Sequence, residues 1–421
     1  MKKIYFLIVL ISYTISAQIT WAPITTIPSN VGSQRFDDVF FLDENVGWAA
    51  NGYYSAVYKT TDGGANWTTQ VASGGLGGLY YFRNIEFLDA NIGFLGTLSN
   101  RFYKTIDGGT TWNQVTNITP NPLAICGLDC VGATTIYGCG AYFSPAFIIK
   151  STDSGATWQY IDMSAYANAL VEIVFLDENI GYAAGKNDTG AVILKTIDGG
   201  TSWTTLYNGS ISGEYVWKLQ ILPSNSNVIF GSIESVVPIP GKLVKTSDGG
   251  VNWITKDFPE VNVQAVGFLT ENHGWMGGHT TGFHETTDGG NTWVNTGVGS
   301  NLNRIFFVND NVAFASGKTV YKMTNNLGIS NFQEAPRTDL NVRVSPNPIK
   351  DKLNLEIDFI GSDHLVLGLY SITGQFIKEL KLDVIDGAGT KKYSFDFPFE
   401  NGNYILNLHT NTGRQSVKIT K

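Results

Sequence analysis

The chain has 421 residues, more than one ordinary domain holds, so two folded units are expected. A formal net charge of −8 is mild for that length, and phosphate binding wants a concentrated basic face, which argues against a nucleic-acid partner. Beyond the N-terminus no apolar run approaches a spanning length, so the mature chain is expected to carry no transmembrane segment.

The first element reads as a secretory signal over residues 1–17. Met1-Lys2-Lys3 precedes an apolar run at residues 4–11 and a small-residue site ending Ser16-Ala17, with cleavage expected after Ala17. A membrane anchor would need a longer apolar run. A lipoprotein anchor would need a cysteine at the cleavage site, and the first cysteine is Cys126.

Ser/Thr-x-Asp-x-Gly-x-x-Trp then recurs six times. The copies are Thr60/Asp62/Gly64/Trp67, Thr105/Asp107/Gly109/Trp112, Ser151/Asp153/Gly155/Trp158, Thr196/Asp198/Gly200/Trp203, Thr246/Asp248/Gly250/Trp253 and Thr286/Asp288/Gly290/Trp293. The Asp positions step by about 40 to 50 residues, a period of radially arranged or stacked β units. Each unit reads as four strands. A first strand ends in Phe-Leu-Asp, as in Phe41-Leu42-Asp43 or Phe175-Leu176-Asp177, and a second follows a polar turn. A third leads into the Asp turn, and the Trp opens a fourth. The Asp is expected to lock the turn by accepting backbone N–H bonds, the Gly to supply its backbone angles, and the Trp to fill the space between sheets. Calcium is not expected there, since one carboxylate per loop falls short of the roughly six to eight oxygens the ion takes.

A seventh unit is degenerate. Ile305-Phe306-Phe307-Val308-Asn309 and Val320-Tyr321-Lys322 match, but Asn325 replaces the Asp, Leu327 the Gly, and no Trp follows. Thr20-Trp21-Ala22-Pro23, at the other end, resembles Asn66-Trp67-Thr68-Thr69. The expectation is a seven-bladed β-propeller over residues 18–328 whose N-terminal strand completes the last blade, removing the open seam. A six-bladed ring with an irregular end is the alternative.

The three cysteines crowd into residues 126–139. A hairpin centred near Gly132 would set Cys126 roughly opposite Cys139, so a disulfide leaving Cys130 over and three buried thiols both stay open. No nearby His supports zinc, and no metal or cofactor is expected.

The repeat resembles the Asp-box, or neuraminidase-type, repeat of sialidases, some glycanases, sortilin-type receptors and propellers similar to photosystem II assembly factors. Tyr-Lys-Thr-x-Asp-Gly-Gly-x-x-Trp behind a Phe-Leu-Asp strand looks most like the last group, which implies a non-catalytic binding propeller. A second resemblance follows a polar linker at residues 329–340. Val344-Ser345-Pro346-Asn347-Pro348, Leu369-Tyr370-Ser371-Ile372-Thr373-Gly374-Gln375 and Gly402-Asn403-Tyr404-Ile405-Leu406 look like the type A sorting domain of type IX secretion. By itself the segment 341–421 reads as a small β-sandwich, so the fold class is all-β, a propeller followed by a sandwich. The resemblance implies export through the type IX machinery to the outer cell surface or the medium.

A sialidase would need an arginine cluster, and Arg35, Arg83 and Arg304 each precede a first strand. The Arg-Ile-Pro signature that accompanies such sites is absent. A glycanase would need two carboxylates about 5–10 Å apart, with Asp37, Asp38, Glu86 and Glu172 as candidates. Histidines at 273, 279 and 284 form no ligand pattern, and no phosphate loop or nucleophile elbow appears. The expected function is therefore non-catalytic, with a secreted glycoside hydrolase as the alternative. The starts of the innermost strands, Asp38, Asn84, Ala124, Glu172, Lys218, Ala265 and Arg304, with Arg83 and Trp217 one residue earlier, are expected to form a rim for a protein or glycan. Tyr53-Tyr54, Tyr80-Tyr81, Tyr142-Phe143 and Tyr215 would extend it. A monomer is expected.

Overall fold

The structure, a computed structural model, describes residues 18–326 and 341–421 apart from residues 31, 33, 141–144, 360, 373–375 and 411–413. The expected signal and linker, Tyr142-Phe143, Leu327 and Thr373-Gly374-Gln375 lie outside the described residues. Every regular element described is a strand. Among the described residues no helix is long and apolar enough to cross a membrane. The chain divides into two compact units, Met1–Gly328 and Ile329–Lys421.

The first unit holds seven four-stranded antiparallel sheets and is a seven-bladed propeller. Blade 1 shows the plan: Phe36–Phe41, Gly47–Asn51, Ala56–Thr60 and Thr68–Val71 run as a meander from the axis outward. Blade 7 has three strands of its own, Arg304–Phe307, Val312–Ser316 and Val320–Asn326, and takes its outer strand from Gln18–Pro23. Trp21 stands opposite Met323 and Ile19 opposite Asn325. Asn325 thus lies inside a strand, its N–H bonded to the Asn311 carbonyl at 2.9 Å.

One aromatic unit joins most blades. Trp48 of blade 1 stacks on Phe87 of blade 2 at 3.7 Å, and Trp112 meets Phe87 edge-on. Phe314 with Phe41 and Trp67, Tyr137 with Phe175 and Trp203, and Phe230 with Phe268 and Trp293 repeat the arrangement. Their stacked centroids lie 3.5, 3.6 and 3.9 Å apart. The box Trp is therefore a clamp on a ring pair that spans two blades. Such ring contacts add about 0.5–1.5 kcal/mol beyond area burial.

The box Trp rings are not equally deep. Trp112 and Trp203 are buried, but Trp67, Trp158, Trp253 and Trp293 are half-buried. All six stand just ahead of their outermost strands, so that place does not by itself set the depth. Trp253 departs furthest from the plan. In blade 5 Ile221 stands where blades 1, 2 and 4 carry the clamped Phe. The Trp253 ring instead meets Tyr207, on the outer strand of blade 4, edge-on at 6.0 Å. Its Nε1 donates to the Gly250 carbonyl at 3.1 Å, so it still braces its own turn.

In the Asp-box itself the carboxylate reaches forward. Asp62 Oδ1 accepts the Thr60 hydroxyl at 2.9 Å and the Asn66 N–H at 2.8 Å, while Thr60 Oγ1 accepts the Gly64 N–H at 2.9 Å. Gly64 sits at φ +91°, a conformation that suits glycine. The hydroxyl and the carboxylate lock the turn jointly. These bonds hold Asp153, Asp198, Asp248 and Asp288 down to about 2. A folded value below the unfolded one means stability present above about pH 4 and lost as pH falls toward 2. Asp153→Ala is thus expected to lower the melting temperature at pH 7, with the gap to wild type closing by pH 2. A gap unchanged across that range would refute the account.

The candidate Cys126–Cys139 disulfide is not formed, and all three cysteines are free. Gly127 is the residue paired with Cys139. Cys126 packs with Ala124, Val171 and Trp217, whereas Cys139 packs with Tyr137, Ile148 and Leu170. Burial pushes the Cys126 thiol up to about 11 and that of Cys139 well above its usual value.

The second unit is a sandwich of a three-stranded and a four-stranded sheet. Alternating Leu353, Leu355 and Ile357 meet Leu365, Leu367, Leu369, Leu406 and Leu408 in its core. Asn347, between the two prolines, accepts the Thr420 N–H at 2.9 Å, and the Ile349 N–H bonds the Thr420 carbonyl at 2.7 Å. The Pro-Asn-Pro block therefore fastens the last strand.

Candidate functional site in the central channel

Consecutive hairpins place the loops between second and third strands, and those between blades, on one face of the ring. The Asp-boxes fall on the other. The innermost strands run from the loop face to the Asp-box face. Near its start the innermost strand is bulged in five blades, with register shifts at Phe36/Asp38, Phe82/Asn84, Leu170/Glu172, Val216/Lys218 and Val263/Ala265. A bulge sets two residues against one partner, so Asp37 with Asp38, Arg83 with Asn84 and Trp217 with Lys218 arrive as pairs.

These pairs build two tiers of buried charge. Toward the loop face Asp37 is held by Arg35 at 3.2 Å and Arg83 at 2.9 Å, and the Arg83 guanidinium lies 5.4 Å from the Trp217 ring. Burial and then Asp37 push the Tyr81 hydroxyl up to about 12. Burial and then Arg35 push His279 down to about 4. Toward the Asp-box face Arg304 donates to both oxygens of Asp38, at 2.9 and 3.1 Å, and to Glu86 at 2.9 Å. Lys218 pairs with Glu172 at 2.6 Å.

The expected rim residues thus lie inside the channel. Arg83, Glu172, Trp217 and Lys218 are buried and Arg304 is half-buried, each charge spent on a partner. Ala124 and Ala265 are buried too, and Asn84 bonds the Ile125 carbonyl. The three arginines form no common clamp, since Arg35 and Arg83 share Asp37 while Arg304 serves Asp38 and Glu86. Of the candidate glycanase carboxylates, Asp37, Asp38 and Glu86 are the acceptors of those arginines and Glu172 is the acceptor of Lys218. Among the described residues no group of three or more His, Cys, Asp or Glu could hold a metal.

A cavity of about 380 Å³ lies on the Asp-box side of the channel, lined by Glu86, Asp129, Glu172, Lys218, Arg304 and Phe306 among others. Asp129 is a lining residue that the repeat pattern does not single out. It lies within the strand Gly127–Val131, opposite Tyr137, because the next turn is tighter than in other blades. Its Oδ2 accepts the Phe175 N–H of blade 4 at 2.5 Å. Burial raises Glu86 to about 8 against the pull of Arg304, and raises Asp129 to about 7. A raised carboxyl binds protons in the folded state that it has lost when unfolded, so its contribution to stability is full below about pH 4.5 and is lost as pH rises through 8. Glu86→Gln is therefore expected to flatten the decline in stability between pH 5 and 9. An identical slope in urea denaturation series would overturn this.

The molecule is a seven-bladed propeller joined to a sorting domain. Residues 343–421 match the family described as the Secretion system C-terminal sorting domain. That match marks the chain for export by type IX secretion, to the cell surface or beyond it. The propeller is similar to the photosystem II assembly lipoprotein Ycf48 of Synechococcus sp. (strain CC9902), 27% identical over 152 residues, which are 34% of this chain. The chain spans 40% of that relative's length. Among solved structures, Ycf48 bound to D1 peptide superposes with a TM-score of 0.55 at 19% identity, covering 73% of this chain and 96% of that one. PorZ of Porphyromonas gingivalis, described as an essential bacterial surface component of the type-IX secretion system, gives 0.51 at 13% identity, covering 92% and 59%. At these identities the structures establish the fold.

Proposed function

We propose that the exported propeller is a non-catalytic binding platform that takes an extended polypeptide on its loop face. One observation carries this reading. Adjacent loops of blades 1 to 3 bring Tyr53, Leu79, Leu98 and Leu123 to the surface, exposed by 54, 74, 37 and 55%. Tyr53 meets Tyr54 edge-on at 5.2 Å, and Arg101 lies 5.5 Å from the Tyr80 ring. The Leu98 N–H bonds the Tyr81 carbonyl at 2.9 Å, which ties the loops together. Large apolar groups held on a rigid base and rimmed by polar ones suit a partner surface. The Ycf48 structure with a bound peptide supports a peptide over a glycan as ligand.

A panel of cell-surface proteins, extended peptides and glycans tests it, with Tyr53→Ala/Leu79→Ala/Tyr80→Ala as comparison. The triple variant is expected to lose capture of polypeptide at unchanged melting temperature. Equal capture by both proteins, or turnover of any sialoside or polysaccharide in the panel, would defeat the proposal.

A further inference from the structure

The cavity on the Asp-box side is lined by more carboxyl groups than cations. Three carboxyls, Glu86, Asp129 and Glu172, line it with two cations, Lys218 and Arg304, an excess of one, and Arg304 is also drawn on by Asp38 beyond the lining. Arg304 is divided between Asp38 and Glu86, and Lys218 is taken by Glu172. Asp129 has no cation within ion-pair distance among the described residues, and its one hydrogen bond to another blade is the Phe175 N–H. Glu86 is only 2% exposed and lines the cavity, and among the described residues Arg304 is its one hydrogen-bond donor, through Oε1. A buried carboxylate with few donors carries a desolvation cost that a bound positive group would offset.

We propose that this cavity receives an alkylammonium group, carried by a free diamine or by a lysine side chain of an extended polypeptide. The chemistry of the walls selects that class. An ammonium brings three donors, matching the Glu86 and Asp129 carboxyls as acceptors. Phe40 and Phe306, with ring centroids 5.4 Å apart, offer aromatic surface for the alkyl stem, while Arg304 lies 5.3 Å over the Phe306 ring. A divalent ion suits the place poorly, because it would sit beside Lys218 and Arg304 and would want six or more oxygens. The volume of about 380 Å³ lies within the range of small-ligand sites and far exceeds a bare ion.

Protons occupy the site when it is empty. The titratable groups that line it are Glu86, Asp129, Cys130, Glu172, Lys218 and Arg304, with Asp38 behind Arg304. Of these, Glu86 at about 8 and Asp129 at about 7 hold protons near neutrality. An incoming ammonium must displace them. Affinity then rises about tenfold per pH unit for each proton displaced below the carboxyl's own value, and levels off above about pH 8.

Isothermal titration of the full protein with 1,5-diaminopentane, and separately with a blocked Gly-Lys-Gly peptide, tests the site between pH 6 and 9. The expected result is binding of at least one probe, tightening with pH and releasing protons to buffer. Glu86→Gln and Asp129→Asn, each first verified by cooperative thermal unfolding, should weaken it by about tenfold or more. Diamine binding assigns a free-amine site, and peptide binding alone assigns a lysine donated by a partner. No heat with either probe, pH-independent binding, or full affinity in both variants would overturn the proposal. The Tyr53→Ala/Leu79→Ala/Tyr80→Ala variant should keep amine binding, so this site and the loop-face reading fail separately.

Discussion

Arg304→Met is expected to cost the propeller about 3–5 kcal/mol, the range for removing one partner of a buried ion pair. Arg304 is the only cation bonded to Asp38 among the described residues, and it also holds Glu86. The side chains of those acids are 1% and 3% exposed, so water does little to replace it. Asp38 keeps the backbone N–H groups of Val39 and Ile85, at 3.0 Å each, whereas Glu86 keeps no donor. The defect should therefore depend on pH in a defined sense. Glu86 can shed its charge by taking a proton, so the loss should be smaller at pH 5 than at pH 9. Chemical denaturation at the two values measures it, and Glu86→Gln added to Arg304→Met should recover part of the high-pH loss. A loss below about 1 kcal/mol, the worth of an exposed pair, would mean that the channel is wet enough to screen these charges.

This network marks the boundary of what the sequence disclosed. The blade plan was legible because each box stores its information locally. Thr60, Asp62, Gly64 and Asn66 bond one another within four residues, so spacing alone reveals the turn. The depth of each box Trp was not legible in the same way. The rings that surround it differ from blade to blade, Trp48 stacked on Phe87 for Trp112 but Tyr207 for Trp253. Ring closure was legible as well, since Asn325 without a Trp and Trp21 without a box are complementary gaps. The channel is different. Arg83 lies 46 residues from Asp37, and Arg304 lies 218 and 266 residues from Glu86 and Asp38. The repeat register places most of the innermost strands but does not show that their charges face one another across a narrow axis. A rim of separate binding groups was therefore expected where the fold builds ion pairs. In blade 3 the repeat register does not carry over, because a tighter turn shifts Asp129 into the strand. The cysteines failed for a related reason, as proximity in a hairpin does not give two thiols the same packing partners.

The second large effect is expected at Trp21. It stands in blade 7 where the box Trp stands in other blades, reaching back to the preceding blade. Its ring stacks on Phe283 at 4.3 Å and meets Trp275 edge-on at 6.0 Å, as Trp158 meets Phe94 at 5.8 Å. The side chain is 7% exposed and borders Leu302, Ala313, Tyr321 and Met323. Trp21→Ala should cost about 3–5 kcal/mol in guanidinium denaturation, in line with large buried aromatics cut to alanine. Trp21→Phe should cost less, since a ring remains to stack on Phe283. Removing residues 18–23 is a harsher test, because it deletes six register positions along the strand Val320–Asn326. That strand would then end the ring with unpaired N–H and C=O groups, a template for pairing with a second chain. Concentration-dependent association by light scattering is the expected sign. A truncated chain that stays monomeric and keeps wild-type stability would mean that blade 7 is held by its three inner strands, and that the N-terminal strand merely covers them.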